Sequence, residues 1–235
     1  MIATLLFSLF IITMLLGVPI GAALGLAGAA AIGLANADAP WFGLLAVPQN
    51  FYAGLGKYPL LAIPMFVLVG SIFDRSGVAL RLVNFAIALV GRGPGMLPLV
   101  AIVVAMFLGG ISGSGPANAA AVGAVMIAAM SRAGYPAAYS ASVVGAAAAT
   151  DILIPPSVAF IVYSVLVPGA SVPALFAAGM IPGVLVGLAL IVPAVWLARR
   201  HKMGEQERDM PRPAFWRSLR EAVWGLLAPV VILGG

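Results

Sequence analysis

The run Gly109-Gly110-Ile111-Ser112-Gly113-Ser114-Gly115-Pro116-Ala117-Asn118 interrupts the apolar stretch from Met96 to Met130 and constrains the fold more than any other segment. Glycine and serine weaken a helix and free backbone N–H and C=O groups, which hydrocarbon cannot hydrogen-bond. Such backbone is tolerated at membrane depth only where it is buried in protein or lines a cavity. In secondary transporters, broken helices of this kind hold the substrate and the coupling ions. The run therefore predicts a membrane transporter and leaves its cargo open.

The composition indicates a membrane protein with several helical spans. Hydrophobic residues make up 63% of the 235 positions, charged residues only 8%, and the mean hydropathy is +1.15. A soluble domain carries roughly 25% charged residues, so this chain cannot cover a water-facing surface. Several segments reach the ~20 apolar residues that cross a bilayer. The net charge of +5 does not indicate nucleic acid, because the basic residues flank apolar segments. We predict an all-α polytopic membrane protein.

The first apolar segment covers residues 2–35 and is interrupted by Gly17-Val18-Pro19. We expect one long tilted helix kinked at Pro19, with two short helices as the alternative. Gly17, Gly21 and Gly25 have the small-xxx-small spacing that allows close helix approach. The segment lacks a basic start and a convincing cleavage site, which favours a retained membrane segment over a signal peptide.

Two interruptions follow further along the chain. Each arm of the 96–130 stretch has about 15 residues before the glycines, less than a full span, which predicts a re-entrant helical hairpin with its tip near mid-membrane. Arg92 and Arg132 mark its two ends. The stretch from Pro136 to Val167 is broken at residues 151–157, where two consecutive prolines remove two amide donors. We predict a discontinuous helix there.

The loop from Arg199 to Arg220 contains seven Lys or Arg residues, which predicts a cytoplasmic location. If the topology is traced backwards from that loop, the uncharged turn 168–171 lies outside the cell. The basic residues that precede this turn then lie inside, so the hairpin is expected to enter from the cytoplasm. A hairpin of two full spans would give the same parity, and the side of Met1 stays undecided.

Oxygen donors collect at both interruptions: the hydroxyls of Ser112, Ser114 and Ser157, the Asn118 amide and unwound carbonyls. Oxygen ligands without thiol or imidazole suit a hard cation such as Na⁺. The N-termini of half-helices carry free N–H groups that suit a carboxylate. The pairing favours a cation-coupled carboxylate carrier. Simple interhelix hydrogen bonding is the alternative role of Ser112 and Asn118.

Asp151 is the one acid inside an apolar stretch. A charge at the bilayer centre costs about 2.5–3.5 kcal/mol on insertion scales, so such residues usually face a cavity. Three roles are open for Asp151: binding a cation, carrying a proton, or hydrogen-bonding the unwound backbone near Pro155.

An enzyme is the remote alternative, because Gly110-Ile111-Ser112-Gly113 matches the G-x-S-G pattern of rhomboid intramembrane serine proteases. The pattern is short, and the single histidine, His201, lies among basic residues at a helix end, far from a midplane serine. We predict no enzymatic activity and no cofactor.

Three motifs in order resemble one family: residues 112–123, Ala133-Gly134-Tyr135 and Ile154-Pro155-Pro156-Ser157. They resemble the large membrane subunit of tripartite ATP-independent periplasmic (TRAP) transporters, of the dicarboxylate-transporter type. The family subunit is roughly twice this length and is built as inverted repeats, so the resemblance implies the first half of such a subunit. Thr150-Asp151 departs from the small neutral residues, often glycine, of many family members.

The resemblance implies an elevator-type secondary transporter in the bacterial inner membrane. It further implies that Na⁺ drives import of organic acids delivered by a periplasmic binding protein, and that a small four-helix membrane subunit braces the scaffold. A symporter that needs no binding protein is the alternative. The implied substrate or ion site comprises Ser112, Gly113, Ser114, Gly115, Asn118, Asp151, Ile154, Pro155, Pro156 and Ser157. Its Na⁺ candidates are Ser112, Ser114, Asn118, Ile154 and Ser157.

The expected organisation has five parts. Residues 1–92 form scaffold helices and interfacial segments, and 93–168 the transport part. Residues 169–200 form a membrane helix, 201–220 a cytoplasmic basic loop, and 221–235 the start of the second half.

Overall fold

The computed structural model describes residues 2–36, 38, 40–91, 93–209 and 212–234, and every regular element within them is helical. Arg92, predicted to mark one end of the hairpin, lies outside the described residues, as do Met1 and Gly235. The chain forms two compact units, residues 1–57 and 58–235. The predicted division into scaffold and transport parts at residue 92 stays a prediction.

The first unit consists of three helices: α1 (Ile2–Leu15), α2 (Ile20–Ala35) and α3 (Pro40–Leu55). The expectation of one long kinked helix is wrong, because the chain reverses between Leu15 and Ile20 and α2 packs against α1. Gly21 and Gly25 face open space, so they do not mediate this packing. The buried face of α2 is instead formed by alanines at a spacing of four residues: Ala23, Ala27 and Ala31.

The second unit contains the remaining eight helices of the described residues. They are α4 (Ala62–Arg75), α5 (Val78–Val90), α6 (Met96–Ser112), α7 (Gly115–Arg132), α8 (Ala137–Ala148), α9 (Val158–Leu166), α10 (Val172–Arg200) and α11 (Phe215–Gly234). Short 3-10 turns cover Tyr58–Leu61, Ala149–Ile152 and Glu205–Asp209. Helix α6 lies at the centre, since it packs against α5, α7, α8, α10 and α11.

The apolar core follows from the composition of α6. Val100, Ala101, Ile102, Val104 and Ala105 are all buried, so this helix is covered on nearly all sides. A helix that is apolar all round belongs in the interior of a protein or in a membrane.

Helix α10 has 29 residues and is, among the described residues, the one helix both long and apolar enough to cross a bilayer. At 1.5 Å per residue it is about 44 Å long. Its basic end at Arg199 and Arg200 confirms the predicted end of this segment. The predicted loop 201–220 is too long, however, because α11 begins at Phe215.

A buried polar cluster, the basal cluster, fastens the loop after α10 to the start of the hairpin. The Tyr135 hydroxyl donates to Glu207 Oε2 at 2.7 Å and accepts from the Gly95 amide at 2.7 Å. The Leu97 amide donates to Glu207 Oε1 at 3.1 Å, so the carboxylate satisfies a free N–H in the first turn of α6. The open ends of the hairpin and the loop after α10 therefore lie at the same end of this unit.

Candidate functional site

The predicted helical hairpin is present as α6 and α7, which pack against each other and are joined at Gly113 and Ser114. Gly113 has φ +62° and ψ +16°, the left-handed conformation in which glycine commonly ends a helix. Ser114 is extended, and Pro116 lies in the first turn of α7, where its missing amide hydrogen costs nothing. The sequence of the tip thus ends one helix and starts the next within two residues.

The predicted break of the second helix is also present, between α8 and α9. Helix α8 ends at Ala148, and the 3-10 turn Ala149–Ile152 leads into an irregular segment, residues 153–157. Pro155 and Pro156 have no amide hydrogen and disfavour helix before them, which explains why the helix stops. The Ser157 hydroxyl donates to the Ile152 carbonyl at 2.7 Å and so links the two ends of the irregular segment.

The hairpin tip touches the break directly. The Val158 amide donates to the Gly113 carbonyl at 3.4 Å. A Cβ added at Gly113 would overlap the Pro156 carbonyl oxygen and lie 3.3 Å from the Ser157 Cα. A Cβ at Gly115 would lie 2.9 Å from the Ala148 carbonyl oxygen. Glycines at the tip therefore let two interrupted helices meet backbone to backbone.

The polar side chains of the tip bond to one another. The buried Ser112 hydroxyl donates to Asn118 Oδ1 at 2.8 Å, and the Ser114 amide donates to Ser112 Oγ at 3.4 Å. The predicted alternative, a hydrogen bond between the two helices, is thus present. The Ser112 hydroxyl is engaged by an amide and not by the distant imidazole that a protease would need.

Asp151 lies in the 3-10 turn before the break and is fully buried. A Cβ at Gly109 would lie 2.5 Å from Asp151 Oδ1, so the carboxyl packs directly against α6. Asn118 and Thr150 are close to the carboxyl, but neither carboxyl oxygen has a hydrogen-bond partner among the described residues. Among the described residues no backbone amide donates to either oxygen, so the expected hydrogen bond to the unwound backbone is not observed, and the roles of binding a cation and carrying a proton stay predictions.

Ile154 is the predicted site residue that the structure places apart from the hydroxyl and amide side chains. Its side chain faces α10, where a Cβ at Gly183 would lie 2.7 Å from Ile154 Cγ1. It also lines an apolar cavity of about 250 Å³ together with Pro155, Met106 and Met180. Only the backbone of Ile154 is thus suited to bind an ion.

Glycines on α6 and α10 are site-forming residues that the sequence interpretation missed. A Cβ at Gly179 would lie 2.5 Å from the Leu153 carbonyl oxygen, and a Cβ at Gly183 would lie 2.7 Å from Ile154 Cγ1. Gly179, Gly183 and Gly187 recur every four residues, a signal of close helix approach that was available in the sequence. Gly109 belongs to the run 109–118, but only the structure shows that its missing side chain leaves room for the Asp151 carboxyl.

The fold and this site define a helical membrane protein in which a hairpin tip meets a broken helix. A family model described as "Tripartite ATP-independent periplasmic transporter, DctM component" matches residues 7–235. The chain therefore belongs to the DctM family of TRAP transporter large permeases, as its motifs predicted.

Curated relatives support this assignment. The chain is 40% identical over 242 residues to the C4-dicarboxylate TRAP transporter large permease protein DctM of Vibrio cholerae, covering 100% of this chain and 51% of the relative. It is 38% identical over 230 residues to the isethionate TRAP transporter permease protein DctMQ of Oleidesulfovibrio alaskensis, covering 98% and 35%. It is 35% identical over 220 residues to the 2,3-diketo-L-gulonate TRAP transporter large permease protein YiaN of Escherichia coli, covering 94% and 50%. The chain thus spans about half the length of the curated relatives it matches or less, and these relatives are permeases, not enzymes.

Proposed function

We propose that this chain supplies one half of the membrane pathway of a Na⁺-coupled importer of organic acids. The observation that carries the proposal is the meeting of the hairpin tip with the broken helix, through Gly113, Pro156 and Val158. Where two interrupted helices are in contact, backbone carbonyl oxygens and N–H groups at the helix ends lie close together. In uninterrupted helices the same groups would be used in hydrogen bonds within each helix. The named substrates of the relatives, a C4-dicarboxylate, isethionate and 2,3-diketo-L-gulonate, are all organic anions, which supports the substrate class.

In the proposed transport cycle Na⁺ is a co-transported substrate and not a resident cofactor. The candidate ligands are the oxygens of Ser112, Ser114, Asn118 and Ser157 and the backbone carbonyl of Ile154. Ser112 and Asn118 are buried and hydrogen-bonded to each other, and Ser157 is fully buried beside the tip. An all-oxygen donor set of hydroxyls, amide and carbonyls is the chemistry that a hard cation prefers.

The carboxylate of the substrate is proposed to meet the N-termini of α7 and α9. Their N-cap residues, Ser114 and Ser157, are extended and make no side-chain hydrogen bond to the helix they precede. Free N–H groups and the positive end of the helix dipole then remain for an anion. The cavity beside Pro155 is lined by apolar side chains, so we assign the acid to the helix ends and not to that cavity.

Transport is proposed to follow an elevator movement of the hairpin and the broken helix together. Their backbone contact and the basal cluster, which ties Glu207 to Tyr135 and to the first turn of α6, support movement as one body. The hairpin is proposed to be re-entrant from the cytoplasmic side, within the first of two inverted repeats. The proposed location is the bacterial inner membrane, and the proposed partners are a small four-helix membrane subunit and a periplasmic binding protein.

The test is uptake into liposomes by the complete transporter with its small subunit, with and without an inward Na⁺ gradient and the binding protein. Labelled C4-dicarboxylates, 2-keto acids, sugar acids and sialic acid serve as substrates. We expect uptake that needs both Na⁺ and the binding protein and is lost in Ser114→Leu. Ser142→Leu is the matched control, because the exposed Ser142 hydroxyl donates to the Tyr139 carbonyl within its own helix and lies outside the candidate site.

The other outcomes separate the alternatives. Na⁺-driven uptake without the binding protein would favour the simpler Na⁺/carboxylate symporter. Uptake of none of these acids would refute the proposed substrate class and leave the family assignment in place.

A further inference from the structure

Asp151 has no opposite charge close to it within the described helices that surround it, and its polar neighbours are the Asn118 and Thr150 side chains. Its side chain is fully buried, and both carboxyl oxygens lack a hydrogen-bond partner among the described residues. The Asn118 side-chain nitrogen, close by on α7, is likewise buried without a partner. Buried polar atoms are almost always satisfied, so two buried carboxyl oxygens without a hydrogen-bond partner indicate a missing ligand.

The missing charge does not come from a basic residue of the surrounding helices. The turn that carries Asp151 packs against α6, α7, α8, α9 and α10. The Lys and Arg residues of these helices are Arg132, at the far end of α7 from the tip, and Arg199 and Arg200, in the last turn of α10. Among the described residues, no charged side chain is close enough to act on the Asp151 carboxyl. A buried carboxylate without an opposite charge is strongly disfavoured, so its charge must be neutralised either by a proton or by a diffusible cation.

Two side chains with an oxygen are close to the carboxyl, Asn118 and Thr150, and Ser112 Oγ is bonded to the first of them. Asn118 Oδ1 accepts from Ser112 at 2.8 Å, which turns the amide nitrogen away from Ser112. A serine hydroxyl accepts as well as it donates, so the same amide turned over would donate to Ser112 Oγ and present Oδ1 as a ligand. Thr150 Oγ1 donates to the Ala147 carbonyl at 2.7 Å and keeps its lone pairs free.

We propose that Asp151 is the charged ligand of a monovalent-cation site that it forms with Asn118 and the neighbouring hydroxyls, and that the ion is Na⁺. This inference rests on the proposed function and adds to the oxygen ligands assigned above a carboxylate that fixes the charge of the site. Gly109 is part of the same arrangement, since only a residue without a side chain leaves room for the carboxyl against α6. The Asn118 amide links the site to the hairpin tip through Ser112.

The test is Na⁺-dependent thermal stabilisation of the purified complete transporter, with choline chloride holding the ionic strength constant. Asp151→Asn keeps the shape and removes the charge, and we expect it to raise the Na⁺ concentration at half-maximal stabilisation at least tenfold. Glu221→Gln is the matched control, because this partly exposed carboxylate is paired with Arg217 at 3.0 Å and is outside the site. It should leave the Na⁺ midpoint unchanged.

An unchanged Na⁺ midpoint in Asp151→Asn would overturn the inference, as would a variant that is more stable and still responds to Na⁺ like the wild type. If Asp151→Asn does not fold, infrared difference spectra of the wild type decide. A carboxylate band that shifts on Na⁺ addition supports the site, whereas an unaltered carboxylic-acid band refutes it. Wild-type uptake is measured in the same preparations. If wild-type uptake is driven by Na⁺ and Asp151→Asn has an unchanged Na⁺ midpoint, only this inference is refuted. If wild-type uptake is independent of Na⁺, the proposed coupling itself is refuted.

Discussion

Replacing Gly113 by alanine tests the contact on which the candidate site depends. The substitution has two separable effects. An L-residue with a Cβ in the left-handed conformation costs about 1–2 kcal/mol, and Gly113 has φ +62°. The new Cβ would also overlap the Pro156 carbonyl oxygen, which belongs to backbone that has no flexible end to move aside. Overpacking of this kind costs about 1–3 kcal/mol, so the expected total is about 2–5 kcal/mol.

Two control glycines separate these effects. Gly169 has φ +90° with nothing within 4 Å of an added Cβ, so Gly169→Ala carries the backbone strain alone. Gly145 lies in α8 with equally open space and no positive φ, so Gly145→Ala should be neutral or stabilise the helix by about 0.5–1 kcal/mol.

The assay is thermal unfolding of the complete transporter in detergent, combined with Na⁺-driven uptake in liposomes. We expect Gly113→Ala to lower Tm clearly more than Gly169→Ala does, and to abolish uptake because the added Cβ displaces the tip from the break and so disrupts the proposed site. Gly145→Ala should retain both properties. A Gly113→Ala variant no less stable than Gly169→Ala would refute the close approach of tip and break.

Three further substitutions probe the surroundings of the site and are measured by the same thermal unfolding. Gly183→Ala puts a Cβ 2.7 Å from Ile154 Cγ1 and 3.1 Å from its amide nitrogen, and should cost about 1–3 kcal/mol by separating α10 from the break; no loss would mean that α10 packs less closely. Ser157→Ala removes the buried bond to the Ile152 carbonyl and should cost about 1 kcal/mol; an unchanged Tm would show that the bond contributes nothing. Burial raises the pKa of the Glu207 carboxyl, so its contribution to stability is full below the ordinary glutamate pKa and is lost as pH rises through the folded-state pKa. The Tm of the wild type relative to Glu207→Gln should therefore fall as pH rises from acidic to neutral, and a constant or rising difference would contradict that sign.

Local backbone chemistry made both interruptions predictable from the sequence. Gly113 and Ser114 end one helix and begin another through their own conformational preferences, and Pro155 and Pro156 remove amide donors wherever they occur. The helical class followed from composition in the same way, because a chain with 8% charged residues has too little polar surface for water. The order of the motifs then sufficed to identify the family.

Contacts between distant parts of the chain were decided only by the tertiary structure. The sequence left open whether residues 2–35 form one helix or two, because a Gly-Val-Pro interruption permits both a kink and a reversal. It could not show that Asp151 packs against Gly109 and finds no hydrogen-bond partner, since that depends on where α6 lies. Nor could it pair Tyr135 with Glu207, which lie 72 residues apart. Conformational preferences act within a few residues, whereas the partner of a buried polar atom is set by packing of the whole unit.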